Sequence, residues 1–388
     1  MNEWAQVQLA DLLSEPTRNG IHKGVEWQGR GIPLIKMGEV YSADYIGDSS
    51  RDLLDLTMKE QERLTVRNDD LLFCRTSLVA DGVGRCALVR NLSGDAAFAS
   101  NLIRVRIDQK KADVRFVHWI FRSPLGQELR RSIARGTSVT TITGPDLASL
   151  WVPVPPLADQ RAIAGVLGAL DEKIESNRRI ASLTQDLGDA TFLGVAGARR
   201  SLGEVADLIM GSSPPGSTYN EARRGLPFYQ GVADFDFRFP RLRIYCDGPV
   251  RIAEAGDALV SVRAPVGRIN RANAKCCIGR GLAAVRSNSP RTLFYALRAA
   301  GDVWAPYNSE GTVFGAINAA DLQAVRIPWP SDNDLSRCER DLEEIDNRLT
   351  VALRENIALT ELRDSLLPEL LSGRLRVRDA EKVVEEVV

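Results

Sequence analysis

Residues 136–156 read GTSVTTITGPDLASLWVPVPP, and residues 311–330 read GTVFGAINAADLQAVRIPWP. At a single offset of 175, Gly136-Thr137 meets Gly311-Thr312, Ile142 meets Ile317, Asp146-Leu147 meets Asp321-Leu322 and Pro153 meets Pro328, with no gap. A joint carried twice marks a duplicated chain, and repeats are read before any other pattern. Within the joint, a β-branched run leads to Gly144-Pro145, which reads as a turn. The prolines that follow end the strand and lead into a helix.

Working outward, fainter matches keep the same order. GIPLIKMGEV (31–40) resembles GLPFYQGVADF (225–235), NDDLLFCRTSLVADGVGR (68–85) resembles AGDALVSVRAPVGR (255–268), and FASNLIRVR (98–106) resembles CIGRGLAAVR (277–286). Downstream, NRRIASLTQDL (177–187) resembles NIALTELRDSL (356–366). Changing offsets mean loops of different length. Each copy is therefore a β-rich block followed by a helix. FYQGVAD, DALVSVR and LIRVRI read as strands bounded by Gly, Asp and Pro. FVHWIFRSPLGQELRRSI (116–133) reads as a helical stretch broken at Pro-Leu-Gly, with RTLFYALRAAG (291–301) as its counterpart.

The helices after the two joints carry narrow apolar stripes. Leu167, Leu170, Ile174, Asn177, Ile180, Leu183 and Leu187 fall three or four apart. So do Leu342, Ile345, Leu349, Ala352, Asn356, Leu359, Leu362, Leu366 and Leu370. A stripe near the heptad period is a coiled-coil seam. The spacing predicts two helices of about 28–35 residues, roughly 40–50 Å long at 1.5 Å per residue. Helices of that length outside a globular core bury their stripes on each other. With one block before the first helix and one between the two, the pairing is antiparallel and gives a dumbbell with approximate two-fold symmetry. Asn177 and Asn356 either sit in the seam and fix its register or face solvent.

The expected fold is thus α+β. Residues 1–156 form one mixed β and helical block, 157–198 a central helix, 199–330 a second block, 331–375 a distal helix and 376–388 an acidic tail. No apolar run approaches the roughly 20 residues of a membrane span. MNEWAQVQLADLL lacks a basic n-region, which makes a cytosolic address the expectation. The six cysteines form no CxxC pair, and His22 and His118 are the two histidines. A Cys/His zinc site and a Ser-His-Asp centre are both poorly supported. There is no GxxxxGK[ST] and no GxGxxG after a strand. Ser213-Pro214-Pro215 runs into Gly216, without the aromatic a methyltransferase site would stack on a base. Acid pairs such as Asp69-Asp70 and Glu343-Glu344 read as solvated faces.

The net charge of −1 hides an alternation. The segments 1–156, 157–198, 199–330 and 331–388 carry +1, −2, +6 and −6. Basic blocks alternate with acidic helices. The basic and amide side chains at strand ends suit nucleic acid, since Arg pairs bidentately with guanine and Gln or Asn with adenine, while phosphates supply nonspecific affinity. In the first block the candidates are Lys36, Arg75, Ser77, Arg85, Arg104, Thr137 and Ser138 (Arg106 lies beside them). In the second they are Tyr229, Gln230, Arg263, Arg268, Arg271 and Arg280. A duplicated scaffold whose blocks bind proteins, and an enzyme with a site between blocks, are the competing readings.

The joint and helix together resemble a known family. Thr137, Ile142, Asp146-Leu147, Val152-Pro153-Val154-Pro155-Pro156, Gln160, Ile163, Leu170-Asp171, Lys173-Ile174 and Asn177 are similar to the recurring elements of specificity (S) subunits of type I restriction–modification systems. LRDSLLPELLSGRL (362–375) resembles their C-terminal finish, and GSSPPGS (211–217) the start of a target recognition domain. RIPWPSDNDLSRC lacks the glutamine of the first copy. The resemblance implies a non-catalytic chain with two target recognition domains, each reading half of a bipartite site in double-stranded DNA. The helices would space them and dock two modification (methyltransferase) subunits. S-adenosylmethionine, ATP and Mg would belong to those partners and to restriction subunits, with no cofactor and no metal in this chain.

Overall fold

The computed structural model describes residues 4–78, 82–136, 139–308 and 315–385. The chain divides into two compact units, Met1–Ser176 with Asn356–Val388, and Asn177–Glu355. Each is a mixed β block packed on a stretch of paired helix.

In the first unit, Arg18–Asn19, Leu102–Arg106, Asp70–Cys74, Cys86–Val89 and Tyr45–Ile46 form a five-stranded sheet in that order. A four-stranded sheet runs Leu53–Leu54, Gln28–Ile35, Ala96–Phe98, Thr65–Val66. The second unit repeats the plan. Asp207–Met210, Leu282–Arg286, Ala258–Ser261 and Ile269–Arg271 make one sheet. Tyr219–Asn220, Ile244–Cys246, Leu226–Tyr229, Cys276–Ile278 and Ile252–Ala253 make the other. Even the parallel pair recurs, as Gln28–Ile35 beside Ala96–Phe98 and Leu226–Tyr229 beside Cys276–Ile278. All five residues of Asp70–Cys74 are buried, as expected of a central strand read from a continuous apolar run.

Asp70 itself is fully buried, not solvated as the Asp-Asp pair suggested. It takes a bidentate pair from Arg106 on the neighbouring strand, at 2.6 and 2.7 Å. Asp257 and Arg286 make the same cross-strand pair in the second unit, at 2.9 and 2.7 Å. Such a pair tolerates burial because each charge meets its opposite with matched geometry.

The repeated joint has a local explanation. Gly144-Pro145 opens a short helix, Gly144–Ala148, instead of a plain turn. Thr143 Oγ1 accepts from Asp146 N at 3.3 Å and Asp146 accepts from Thr143 N at 3.2 Å, a reciprocal cap. In the second copy Asn318 Oδ1 accepts from Asp321 N at 2.9 Å and caps Ala319–Ala324. Ile142, Leu147, Ile317 and Leu322 are all buried. The shared Asp-Leu is thus the residue whose N–H the cap accepts from, followed by a core anchor. The strand after it is zipped to the start of its block: Trp151–Val154 pairs with Ala5–Gln8, and Arg326–Pro328 with Arg199–Ser201. Gln160, the position missing from copy two, bonds Asp113 N at 2.9 Å and Pro155 O at 2.8 Å and holds the joint to its helix.

The long helices span Leu157–Leu193 and Asp332–Leu371, 37 and 40 residues, somewhat beyond the expected length. In the first unit Ile163, Leu167, Leu170 and Ile174 share a core with Leu359, Leu366 and Leu370, and Leu362 packs at its rim. In the second, Phe192 shares a core with Cys338 and Leu342, and Ile345 packs against it. Asn177 Nδ2 meets Glu355 at 2.8 Å in the same unit. Rising numbers on one helix therefore meet falling numbers on the other, and the pairing is antiparallel. Leu349 is buried, and so are Asn177 and Asn356, which removes the solvent-facing reading of the two asparagines.

Part of the first seam lies elsewhere than expected. Leu183 and Leu187 are 59% and 56% exposed, and Ile180 is exposed beside them. The buried line after Asn177 runs through Ala181, Gln185, Gly188 and Phe192. Side-chain size misleads here, because close approach favours small residues. A Cβ on Gly188 would stand 2.3 Å from the Tyr295 hydroxyl. Leu342→Ala is therefore expected to cost about 2–5 kcal/mol, whereas Leu183→Ala stays within about 0.5 kcal/mol; chemical denaturation of the two variants checks this. The acidic end also differs from an extended tail. Val377–Glu385 is helical, and Val377, Ala380 and Val384 lay an apolar stripe on the first unit's core.

All six cysteines are free and buried, and burial pushes the Cys74 and Cys276 thiols up to about 12. Burial pushes His118 down to about 3, so it is a neutral core residue. No described helix is long and apolar enough to cross a membrane.

Candidate nucleic-acid interface

In each unit the same set of loops meets at one edge of the sheets. In the first, Gly20 N donates to Leu102 O at 3.1 Å, Ile21 N to Phe98 O at 2.9 Å and Ala99 N to Ile35 O at 3.0 Å. Arg75 N donates to Asn101 O at 2.8 Å, and Ile142 N to Arg75 O at 3.0 Å. Thr76–Ser77 pairs with Thr140–Thr141. Four chain segments, around residues 20–22, 36, 75–77 and 99–101, are thereby stitched to the strand that follows 136–138.

The second unit repeats the stitching. Gly211 N donates to Leu282 O at 2.9 Å, Gly279 N to Tyr229 O at 2.8 Å and Val262 N to Gly281 O at 2.9 Å. Ala264 N donates to Gly315 O at 2.7 Å, and Arg263 bridges to Ala316. Gly20 and Gly211 occupy matching places for one reason. A Cβ would lie 2.2 Å from Phe98 O at the first and 2.1 Å from Gly279 O at the second, so a side chain would pry the loops apart.

The sequence candidates separate cleanly. Gln230, Arg263, Arg268 and Arg280 are exposed on the loops of the second unit. Lys36 is exposed on the first unit's edge, beside the Asp52 carboxylate. Arg75 is half-buried there and donates to Ser100 O at 3.5 Å. Arg85 is half-buried near the Tyr41 ring. It lies 3.8 Å from Asp44 in a cleft of about 500 Å³ that Arg122, Arg130 and Arg363 also line.

Others are withdrawn into the fold. Arg104 is 2% exposed, bonds Thr65 O and pairs with Glu15 at 3.0 Å, so it braces the sheet and presents nothing outward. Ser77 is buried with its hydroxyl 2.9 Å from that of Tyr41. Tyr229 is a core residue whose hydroxyl burial pushes up to about 12. Arg271 is held by Asp346 at 2.5 Å. An alternating strand sends every second side chain inward, and sequence alone did not fix which. Thr137 and Ser138 lie outside the described residues.

The structure adds residues that a search for arginine passed over. His22, Gln28, Lys36, Ser100 and Asn101 rim a recess of about 400 Å³ floored by Ile21, Leu34, Leu54 and Ala99. An apolar floor with polar rim groups is suited to a base face and its edge. The available signal was the FASN turn before LIRVR, which places an amide at a strand entrance. Among the described residues no group of three or more His, Cys, Asp or Glu is placed to hold a metal ion.

A family model for the type I restriction modification DNA specificity domain matches residues 1–185. The putative type I restriction enzyme MjaX specificity subunit of Methanocaldococcus jannaschii is 27% identical over 410 aligned positions, covering 97% of this chain and 94% of its own. The chain is similar to specificity subunits of type I restriction–modification systems. The type I restriction enzyme StySPI specificity subunit of Salmonella potsdam is 28% identical over 219 residues, 54% of this chain and 47% of that one. The type I restriction–modification S subunit from M. genitalium shares the fold of this chain at a TM-score of 0.59 and 17% identity, over 95% of this chain and 96% of that one.

Proposed function

We propose that each unit of this specificity subunit reads one half of a bipartite site in double-stranded DNA through its loop edge. One observation carries the reading: the same stitched loops recur in both units, but the side chains they display differ. Lys36, Arg75 and Asn101 occupy the first edge, and Gln230, Arg263 and Arg280 the second. Equivalent frames with different donors are what two unlike half-sites require. The long helices act as the ruler for the unread gap. They also dock two modification subunits, which bind S-adenosylmethionine and methylate adenine. ATP- and Mg-dependent restriction subunits complete the system.

Anisotropy titrations on a bipartite duplex, with the modification subunit present, test this. If several phosphates are contacted, affinity falls about 10³-fold between 50 and 200 mM salt, and one sequence outcompetes scrambled DNA. Absence of any sequence-preferring binding would overturn the proposal. Methylome mapping of cells with and without the gene supplies the sequence.

Leu183 and Leu187, exposed on the first long helix, are the surface assigned to the modification subunit. Leu183→Arg with Leu187→Arg is expected to abolish co-purification of that subunit and leave the melting temperature unchanged. Retained co-purification would place the contact elsewhere.

A further inference from the structure

The sequences around Leu170-Asp171 and Ile345-Asp346 fall at the same 175-residue offset as the repeated joint. Both aspartates are buried at 5% and 4% exposure, one on each long helix. Each is the centre of a charged knot. Asp171 accepts from Tyr45 at 2.7 Å, from Arg363 at 2.7 Å and from Arg122. Asp346 accepts from Tyr295 at 2.9 Å, Arg238 at 2.6 Å and Arg271 at 2.5 Å. Two arginines and one tyrosine converge on each carboxylate.

The donors correspond only in part between copies: Arg122 and Tyr295 come from counterpart helices, Val114–Arg122 and Pro290–Ala299. Tyr45 comes from the strand Tyr45–Ile46, Tyr295 from the helix Pro290–Ala299. Arg363 comes from the other long helix, whereas Arg271 comes from the strand Ile269–Arg271 and Arg238 from a loop. Duplication accounts for the two aspartates. It does not account for the remaining donors, Tyr45 and Arg363 in one unit and Arg238 and Arg271 in the other, recruited from different elements. What the two units share is the device.

The geometry assigns Asp171 and Asp346 as positioning residues that pin each recognition block to its own segment of long helix, and so set how sharply the protein discriminates the spacing between half-sites. This rests on the bipartite-site reading above. Apolar packing between block and helix is non-directional, so a core alone permits the block to rock or slide by fractions of a turn. A carboxylate with three donors from separate elements fixes both translation and rotation, because charge-assisted hydrogen bonds demand their geometry. Arg238 is additionally held flat over the Phe294 ring at 3.6 Å, which removes its remaining freedom.

The test uses the full chain with its modification subunit and a series of duplexes whose spacer differs from the preferred length by one base pair either way. Tyr45→Phe and Tyr295→Phe each remove one donor and leave every charge paired, so they keep the fold. Asp346→Asn is the stronger variant, and if it fails to fold the tyrosine pair carries the result. The expected outcome is that preference for the correct spacer over its neighbours falls by at least roughly tenfold in Tyr45→Phe/Tyr295→Phe, the lower bound set by losing a single one of the two hydrogen bonds to a charged group. Affinity for a single half-site stays unchanged. If wild type discriminates spacers and the double variant keeps the same ratio, the positioning role is wrong. If wild type itself shows no bipartite preference, the recognition reading fails first and takes this inference with it.

Discussion

Replacing Arg263 and Arg280 together by alanine is expected to weaken binding to the target duplex on the order of 10³-fold, since each well-placed arginine contact to a base is worth about 1–3 kcal/mol. The same variant is expected to keep its stability within about 0.5 kcal/mol, because exposed side chains away from packing features contribute little to folding. Both residues are exposed, on loops braced by backbone bonds that the substitutions leave intact. The comparison with Arg104→Ala makes the prediction discriminating. Arg104 is buried against Thr65 O and Glu15, and its loss leaves Thr65 O without that donor and Glu15 with Arg106 alone. That variant is expected to lose stability by about 1–3 kcal/mol, with any loss of binding following the loss of folded protein. Circular dichroism melts and anisotropy titrations on all three proteins separate the outcomes. Equal loss of stability in R263A/R280A would remove these arginines from the interface.

The repeat was legible because the joint does several jobs at once. Thr143 and Asn318 cap short helices through the N–H groups of Asp146 and Asp321, Leu147 and Leu322 fill the core, and the following residues zip to the block's first strand. Few residue types satisfy all of these, so the two copies stayed alike at a constant offset. The edge loops have no such constraint, and the sequence shows only that basic and amide side chains are present there. Arg104 and Arg106 share one face of a strand and both reach Glu15. One braces the sheet beside Glu15 and the other pairs with Asp70, and neither destination is written in the local pattern. The seam misreading at Leu183 and Leu187 has a similar origin. Periodicity locates a stripe to within one residue, and choosing larger apolar side chains over Ala181 and Gly188 rotated it to the wrong side.

Asp171→Asn is expected to destabilise the protein by about 3–5 kcal/mol at neutral pH, the cost of removing one partner from a buried ionic cluster. Arg122 and Arg363, 11% and 13% exposed at the side chain, would lose the carboxylate they share and keep only the more exposed Asp44 and Asp364. The pH dependence identifies the cause. Burial pushes the Asp171 carboxyl up, but the Arg122 guanidinium and the hydrogen bonds from Arg122, Tyr45 and Arg363 outweigh it and hold the group below its usual range. A carboxyl depressed in the folded state binds fewer protons there than in the unfolded chain. Its stabilising contribution is therefore complete above the unfolded value near ~4 and is lost as pH falls through the lower folded value. The stability gap between wild type and Asp171→Asn should be constant from pH 7 to about 5 and shrink below ~4. Asparagine does not titrate, so the shrinkage comes from wild type alone. Denaturant midpoints of both proteins across that range measure the gap directly, and a gap that persisted unchanged into acid would mean the variant's defect is steric and not the loss of a carboxylate.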